Sequence, residues 1–171
     1  MHYMKAVKFI RSNKFRRVLV TGPARSGTTI TAKILAHELN FTYVDEKRIK
    51  WDNFDKLFTL YTTEKDFVLQ APAISAYCHM MPGVVVFMRR PTEEIMKSEK
   101  RIGFTPKNNL LGLKKYFRDT GFISEVKYEI WDKWQKNRPN MLEVDYNSIK
   151  DHSFYLPDNV RKSFKPKQTE I

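Results

Sequence analysis

A three-layer α/β fold, with a central and mainly parallel sheet of about five strands between layers of helices, is what this sequence predicts. Three observations predict it. Short apolar runs alternate with helical patterns along the 171 residues, as in chains built from strand–helix–strand crossovers. The first strong apolar run leads directly into a glycine-bounded loop and then a helix, Val18-Leu-Val-Thr-Gly-Pro-Ala-Arg-Ser-Gly-Thr-Thr29. Finally, Arg25, Glu46, Gln70, Arg89 and Arg90 all fall just after predicted strand ends, the edge at which open α/β sheets bind ligands.

Residues 1–16 read as a basic lead-in, with Val7, Phe9 and Ile10 as the partly buried positions of a short helix. The continuous apolar run 18–21 is the first strand, and residues 28–39 follow as helix with Ile30, Ile34, Leu35 and Leu39 near helical spacing. Residues 41–45 read as a second strand, 52–60 as helix, and 67–70 as a third strand ending at Ala71-Pro72. The clearest buried strand is 83–88, which stops at Arg89-Arg90-Pro91. Thr92 is placed to cap the next helix, with Glu93 and Glu94 at the positive end of its dipole. A mixed region, 101–138, is broken by Gly103, Pro106, Gly112 and Gly121, and within it 123–136 has a helical pattern. Residues 141–144 form the last strand, before a polar tail from about 151.

The length fits one domain spanning 1–171, and 42% hydrophobic with 13% aromatic content argues for a packed core rather than disorder. No apolar run approaches the roughly 20 residues of a bilayer span, and the N-terminus shows no secretory pattern. With Cys78 the single cysteine, these features fit a reducing, cytoplasmic setting, and Cys78 reads as a small buried residue rather than a nucleophile. The net charge of +12 is uneven: residues 1–17 carry six Lys/Arg and no acid, and 97–118 carry seven against Glu99. All the excess lies in these two stretches. Two readings fit equally: an anionic partner, such as an acidic acceptor, a polyanion or nucleic acid, or a solvated tail and helix face.

The loop carries the chemistry. Gly22 and Gly27 permit a tight turn that aims backbone N–H groups inward at the start of a helix, which suits a phosphate. The Gly22-x4-Gly27 spacing is that of a P-loop, yet Thr28 stands where a nucleoside-triphosphate enzyme places its lysine. Thr28 and Thr29 add hydroxyls, and Arg25 is the loop's only cation. His2, His37, His79 and His152 have no metal-ligand spacing, so no metal site is expected.

Pro23-Ala-Arg-Ser-Gly-Thr-Thr29 resembles the 5′-phosphosulfate loop of the sulfotransferases that use 3′-phosphoadenosine 5′-phosphosulfate (PAPS). The resemblance implies that Arg25, Ser26, Gly27, Thr28 and Thr29 hold the donor's 5′-phosphosulfate. A second family element, an arginine at a strand end and a serine eight residues on, grips the 3′-phosphate of PAPS or of its product PAP. Arg90 and Ser98 have that spacing, whereas Arg89 would pair with Lys97. In motif spacing the chain is nearest to the tyrosylprotein sulfotransferases, whose Glu-Glu-x-Arg-Ile segment is similar to Asp45-Glu-Lys-Arg-Ile49 here. That match implies Glu46 as the base that deprotonates an acceptor hydroxyl or amine; a salt-bridging or loop-capping role for Asp45 and Glu46 is the alternative. Residues 141–149 resemble the family's late strand ending in Tyr-Glu-x-Leu, with Asn147 in place of the glutamate.

The chain departs from the family where charge is needed. Relatives place Lys-x-Pro after the third strand; here Gln70 replaces the lysine, so hydrogen bonding without charge is all that this position offers the transferred group. Arg161-Lys162-Ser163 matches a late 3′-phosphate element only faintly and reads as a solvated tail. Two other functions stay open: a P-loop nucleotide or small-molecule kinase with an altered loop, and a non-catalytic nucleotide- and polyanion-binding protein. For the kinase, Lys33 lies about one helical turn too far along to replace the loop lysine.

Overall fold

The computed structural model describes residues 1–49, 54–103 and 120–155. Five parallel strands form one sheet: β1 (Arg17–Thr21), β2 (Thr42–Asp45), β3 (Phe67–Gln70), β4 (Val84–Arg89) and β5 (Met141–Asp145), in the order β2-β3-β1-β4-β5. Every pairing is parallel, with Val18 opposite Val68 on one side and Val84 on the other, so β1 lies at the centre. The α/β architecture expected from the alternation is the one observed. Strand alternation divides the core: Val18, Val20, Val68, Val84 and Val86 face one helical layer, and Leu19, Leu69, Val85 and Phe87 face the other.

On the first face lie α1 (Tyr3–Ser12) and α2 (Thr28–Leu39). The N-terminal stretch forms the short helix expected of it, buried more deeply than Val7, Phe9 and Ile10 alone imply. Tyr3, Ala6, Val7 and Ile10 recur at helical spacing and are fully buried against the sheet, while the charges project outward. Two of its cations are also engaged: Arg11 with Glu38, and Arg16 with Asp66. This helix is therefore packed on the sheet, and the charge of the N-terminal stretch is partly neutralised by the chain itself.

The opposite face carries α4 (Phe54–Thr63), a 3-10 helix at Pro72–Met80, α5 (Thr92–Arg101) and α6 (Thr120–Ile130), which continues into a π-helical turn, Trp131–Gln135. A one-turn helix, α3 (Glu46–Ile49), follows β2, and a second 3-10 turn, Tyr146–Ile149, follows β5. Two boundary expectations are corrected. Thr92 is the first residue of α5 rather than its cap, because Pro91 takes the cap position with fixed backbone geometry. The tail beginning near 151 is in part packed, since Phe154 and Tyr155 lie against the first core cluster. The breakers Pro106 and Gly112, most of the basic stretch 97–118, Trp51 and Arg161-Lys162-Ser163 lie outside the described residues.

Trp131 anchors the second layer. It is fully buried, stacks on Phe87 with ring centroids 4.3 Å apart, and its indole N–H donates to Glu143 at 2.7 Å. Trp134, in contrast, is exposed, with Lys133 over its ring. Cys78 is buried, its thiol bonds Gln135 at 2.8 Å, and burial pushes its pKa up to about 12, so it is an inert core residue. Trp131→Ala is expected to lower unfolding free energy by about 3–5 kcal/mol, measured as a fall in the urea midpoint at unchanged slope. Among the described residues no helix is long and apolar enough to cross a membrane.

Candidate phosphate-binding site

The site forms where β1 ends. Gly22 and Gly27 bound the loop with φ of +135° and +94°, and Arg25 between them also adopts a left-handed φ of +64°. Such a backbone costs an arginine about 1–2 kcal/mol, so neighbours must hold it. Arg90 does this: its Nη1 donates to the Arg25 carbonyl at 2.9 Å, while its Nε donates to Glu94 at 3.1 Å. In turn the Arg25 guanidinium donates to the Ser98 hydroxyl, from Nε at 3.3 Å and from Nη2 at 3.2 Å. The loop arginine and the Arg90–Ser98 pair, two separate phosphate elements when read along the chain, are thus one cluster.

Tyrosines from two other elements frame it. The Tyr128 hydroxyl, on α6, donates to the Arg90 carbonyl at 2.6 Å and accepts from the Arg90 N–H at 3.1 Å, which fixes the backbone just after β4. Burial raises the Tyr128 phenol above its usual pKa, so it stays a protonated donor. The Tyr146 ring, after β5, lies 4.1 Å below the Arg90 guanidinium and presses on Gly27, where an added Cβ would fall 2.4 Å from the ring. Arg89 does not share in this cluster. Asp132 and Glu143 pair with it at 2.7 and 3.0 Å, and its guanidinium covers the Tyr128 ring. Of the two arginines at the end of β4 and just after it, Arg90 is the one joined to the loop.

The loop residues divide by exposure. Ser26 is fully buried and both its N–H and its hydroxyl donate to the Pro23 carbonyl, a brace that shapes the turn. Thr28 is buried and accepts from the Gln70 amide at 3.4 Å, so Gln70 reaches the loop although it brings no charge. Thr29 is exposed and lines a pocket of about 310 Å³ with Lys33, Tyr43, Asp45, Lys47 and Arg48. Gly27 takes the cap position of α2 and offers no side-chain cap, and the first-turn N–H groups of that helix have no acceptor within it. A larger cleft, about 490 Å³, is lined by Arg89, Arg90, Thr92, Tyr128, Glu143 and Asn147.

Glu46 stands apart from this cluster, at the end of β2. Its Oε2 accepts from the Ala73 N–H at 3.1 Å. Burial raises its pKa above the usual carboxylate range; the Ala73 hydrogen bond and the Lys127 and Lys47 cations oppose that rise, and Asp45 adds to it. Asp45 itself is tied locally, accepting from the Tyr43 hydroxyl and the Lys47 N–H. His79 faces Gln135 instead of the loop, and His37 lies against the Phe154 ring.

Three partners escaped sequence reasoning: Tyr128, Tyr146 and Lys127. Tyr146 had a signal, because it lies in the strand-end motif 141–149. Tyr128 and Lys127 had only a helical pattern around them. Among the described residues no group of three His, Cys, Asp or Glu could hold a metal ion.

No family model and no curated protein sequence matches the chain. Among solved structures it is similar to shikimate kinase from Acinetobacter baumannii in complex with shikimate, at TM-score 0.49 and 16% identity, over 80% of this chain and 86% of that one.

Proposed function

We propose that the chain binds PAPS and transfers its sulfuryl group to an acceptor hydroxyl or amine. The observation that carries this reading is the joining of Arg25, Arg90 and Ser98 on a loop in which Thr28 stands in place of lysine. A triphosphate site needs its lysine beside the transferred phosphate, and Arg25 points instead toward α5. Two arginine forks and a serine hydroxyl suit a donor with phosphate at both ends of one nucleoside.

The residues present fit such a donor. Gly22 has no room for a Cβ, which would fall 2.7 Å from the Met88 carbonyl, and Gly27 meets the Tyr146 ring, so both glycines let the loop pack closely against β4 and Tyr146. Ser26 braces the loop; the N–H groups of the first turn of α2, with the Thr28 and Thr29 hydroxyls, hold the 5′-phosphosulfate. Arg90 and Ser98 hold the 3′-phosphate, with Arg25 bonded to Ser98 beside them, and the cleft that Arg90 lines has the size of a nucleoside site. Bound PAPS supplies the sulfuryl group and leaves as PAP. Glu46 takes the proton of the acceptor, and Gln70 holds Thr28 in place.

Glu46→Gln is expected to leave PAP affinity within about twofold while lowering transfer of labelled sulfate by about 10²–10⁴-fold. Acidic peptides and polysaccharides are the acceptors to try first, given the net charge of +12. Undiminished transfer in this variant would remove Glu46 from the mechanism.

A second reading, a P-loop kinase with an altered loop, draws on one observation. Thr29 and Asp45 line one pocket with Lys33, Lys47 and Arg48, and a hydroxyl and a carboxylate are oxygen donors of the kind magnesium prefers. Magnesium-dependent ATP turnover would favour it.

A further inference from the structure

Lys127 is an uncommon lysine. It lies on the inner face of α6, buried, and its ammonium donates to the Pro72 carbonyl at 2.9 Å. The N–H on the other side of that same peptide bond, that of Ala73, donates to Glu46 at 3.1 Å. One peptide group therefore joins the two side chains, with the cation on its carbonyl and the carboxylate on its N–H. A cation at the oxygen withdraws electron density from the amide and strengthens the N–H as a donor. The peptide dipole and the two charges point the same way.

We propose that Lys127 is a positioning residue for Glu46, acting through the Pro72–Ala73 peptide group to hold that carboxyl ionised and aimed at the carboxyl ends of the strands. This rests on the reading of Glu46 as the base. It also accounts for the cation lost at Gln70: positive charge returns to the end of β3 from α6, placed to act on the base rather than on the leaving group.

The surroundings of Glu46 make such support necessary. Ile49, Leu57, Leu69 and Ala71 wall it in, which favours the neutral acid. The charged groups that face it are Asp45 from β2, which also favours the acid, and Lys47 from α3 and Lys127 from α6, which favour the carboxylate. Lys47 is exposed and screened by solvent, so Lys127 is the cation with the stronger hold. Burial lowers the Lys127 pKa to about 8, opposed by Glu46, so the ammonium persists at neutral pH. A tether for the Pro72 carbonyl alone would need only a neutral donor.

The test is a ¹³C NMR titration of the Glu46 carboxyl, assigned by comparison with Glu46→Gln, in wild type, Lys127→Gln and Lys127→Met. Lys127→Gln keeps a donor for Pro72 and removes the charge; Lys127→Met removes both. The expected result is a protonation midpoint about one pH unit higher in both variants, as loss of a nearby opposite charge produces. The acidic limb of the transfer rate is expected to move with it, at unchanged PAP affinity. In the wild type a second, smaller change in the Glu46 signal is expected near pH 8, as Lys127 discharges; it needs no variant, and so survives if Lys127→Met does not fold. A Glu46 midpoint that stays in place in Lys127→Gln, with no inflection near pH 8 in the wild type, overturns the proposal and leaves Lys127 a structural tether. Failure of PAP to bind would instead count against the donor reading, because the carboxyl titration does not depend on it.

Discussion

Arg90→Ala is expected to abolish useful donor binding while leaving the sheet intact. The side chain makes three contacts that alanine cannot: the hydrogen bond to the Arg25 carbonyl, the ion pair with Glu94 and the cation over the Tyr146 ring. It is also mostly shielded from solvent, at 15% exposure, so these contacts are weakly screened. Losing a part-buried arginine that holds a phosphate costs about 2–5 kcal/mol, or about 30-fold to several-thousand-fold in affinity for PAP. Part of that loss is indirect, because Arg25 depends on Arg90 to stay in its left-handed conformation. Arg90→Lys separates the contributions: it restores charge without the fork, so affinity is expected to recover only in part. Calorimetric titration of the three proteins measures the series. Wild-type affinity in Arg90→Ala would remove Arg90 from the donor site.

Gly27→Ala is expected to damage stability and binding together. At φ +94° an alanine is strained, and its Cβ would overlap the Tyr146 ring at 2.4 Å. Left-handed strain of about 1–2 kcal/mol and overpacking of about 1–3 kcal/mol suggest a total of about 2–5 kcal/mol. Relief requires either the loop to leave the start of α2 or the Tyr146 ring to leave the Arg90 guanidinium. Adding Tyr146→Ala removes the clash but not the φ strain, so the double variant is expected to be more stable than the two single losses added together. Denaturant unfolding of all four proteins tests this. Strict additivity would mean that Gly27 and Tyr146 do not touch in solution.

Much of the fold was legible because parallel strands buried on both faces read as unbroken apolar runs. Residues 67–70 were placed as observed, and 83–88 needed a shift of one residue, to Val84–Arg89. The N-terminal helix was legible only in outline: six cations dominate residues 1–17, while the four residues that matter, Tyr3, Ala6, Val7 and Ile10, are spread between them. At the site, the loop and the Arg90–Ser98 spacing could be read from the sequence. That they meet through Arg25 could not, since that contact spans 73 residues and follows from the β1–β4 pairing. Lys127 was illegible for a different reason. A lysine in a helical pattern reads as solvated, and only the packing of α6 against the 3-10 helix after β3 turns it inward.

Titration of the wild-type protein with PAP in magnesium-free buffer, beside adenosine 5′-phosphate, tests the donor assignment most directly. Saturable PAP binding is expected, at least about tenfold tighter than binding of the nucleotide without the 3′-phosphate, the least that one lost charged contact of about 1.4 kcal/mol produces. No binding at millimolar PAP, together with magnesium-dependent binding and turnover of ATP, would contradict the assignment and leave the loop as that of a kinase.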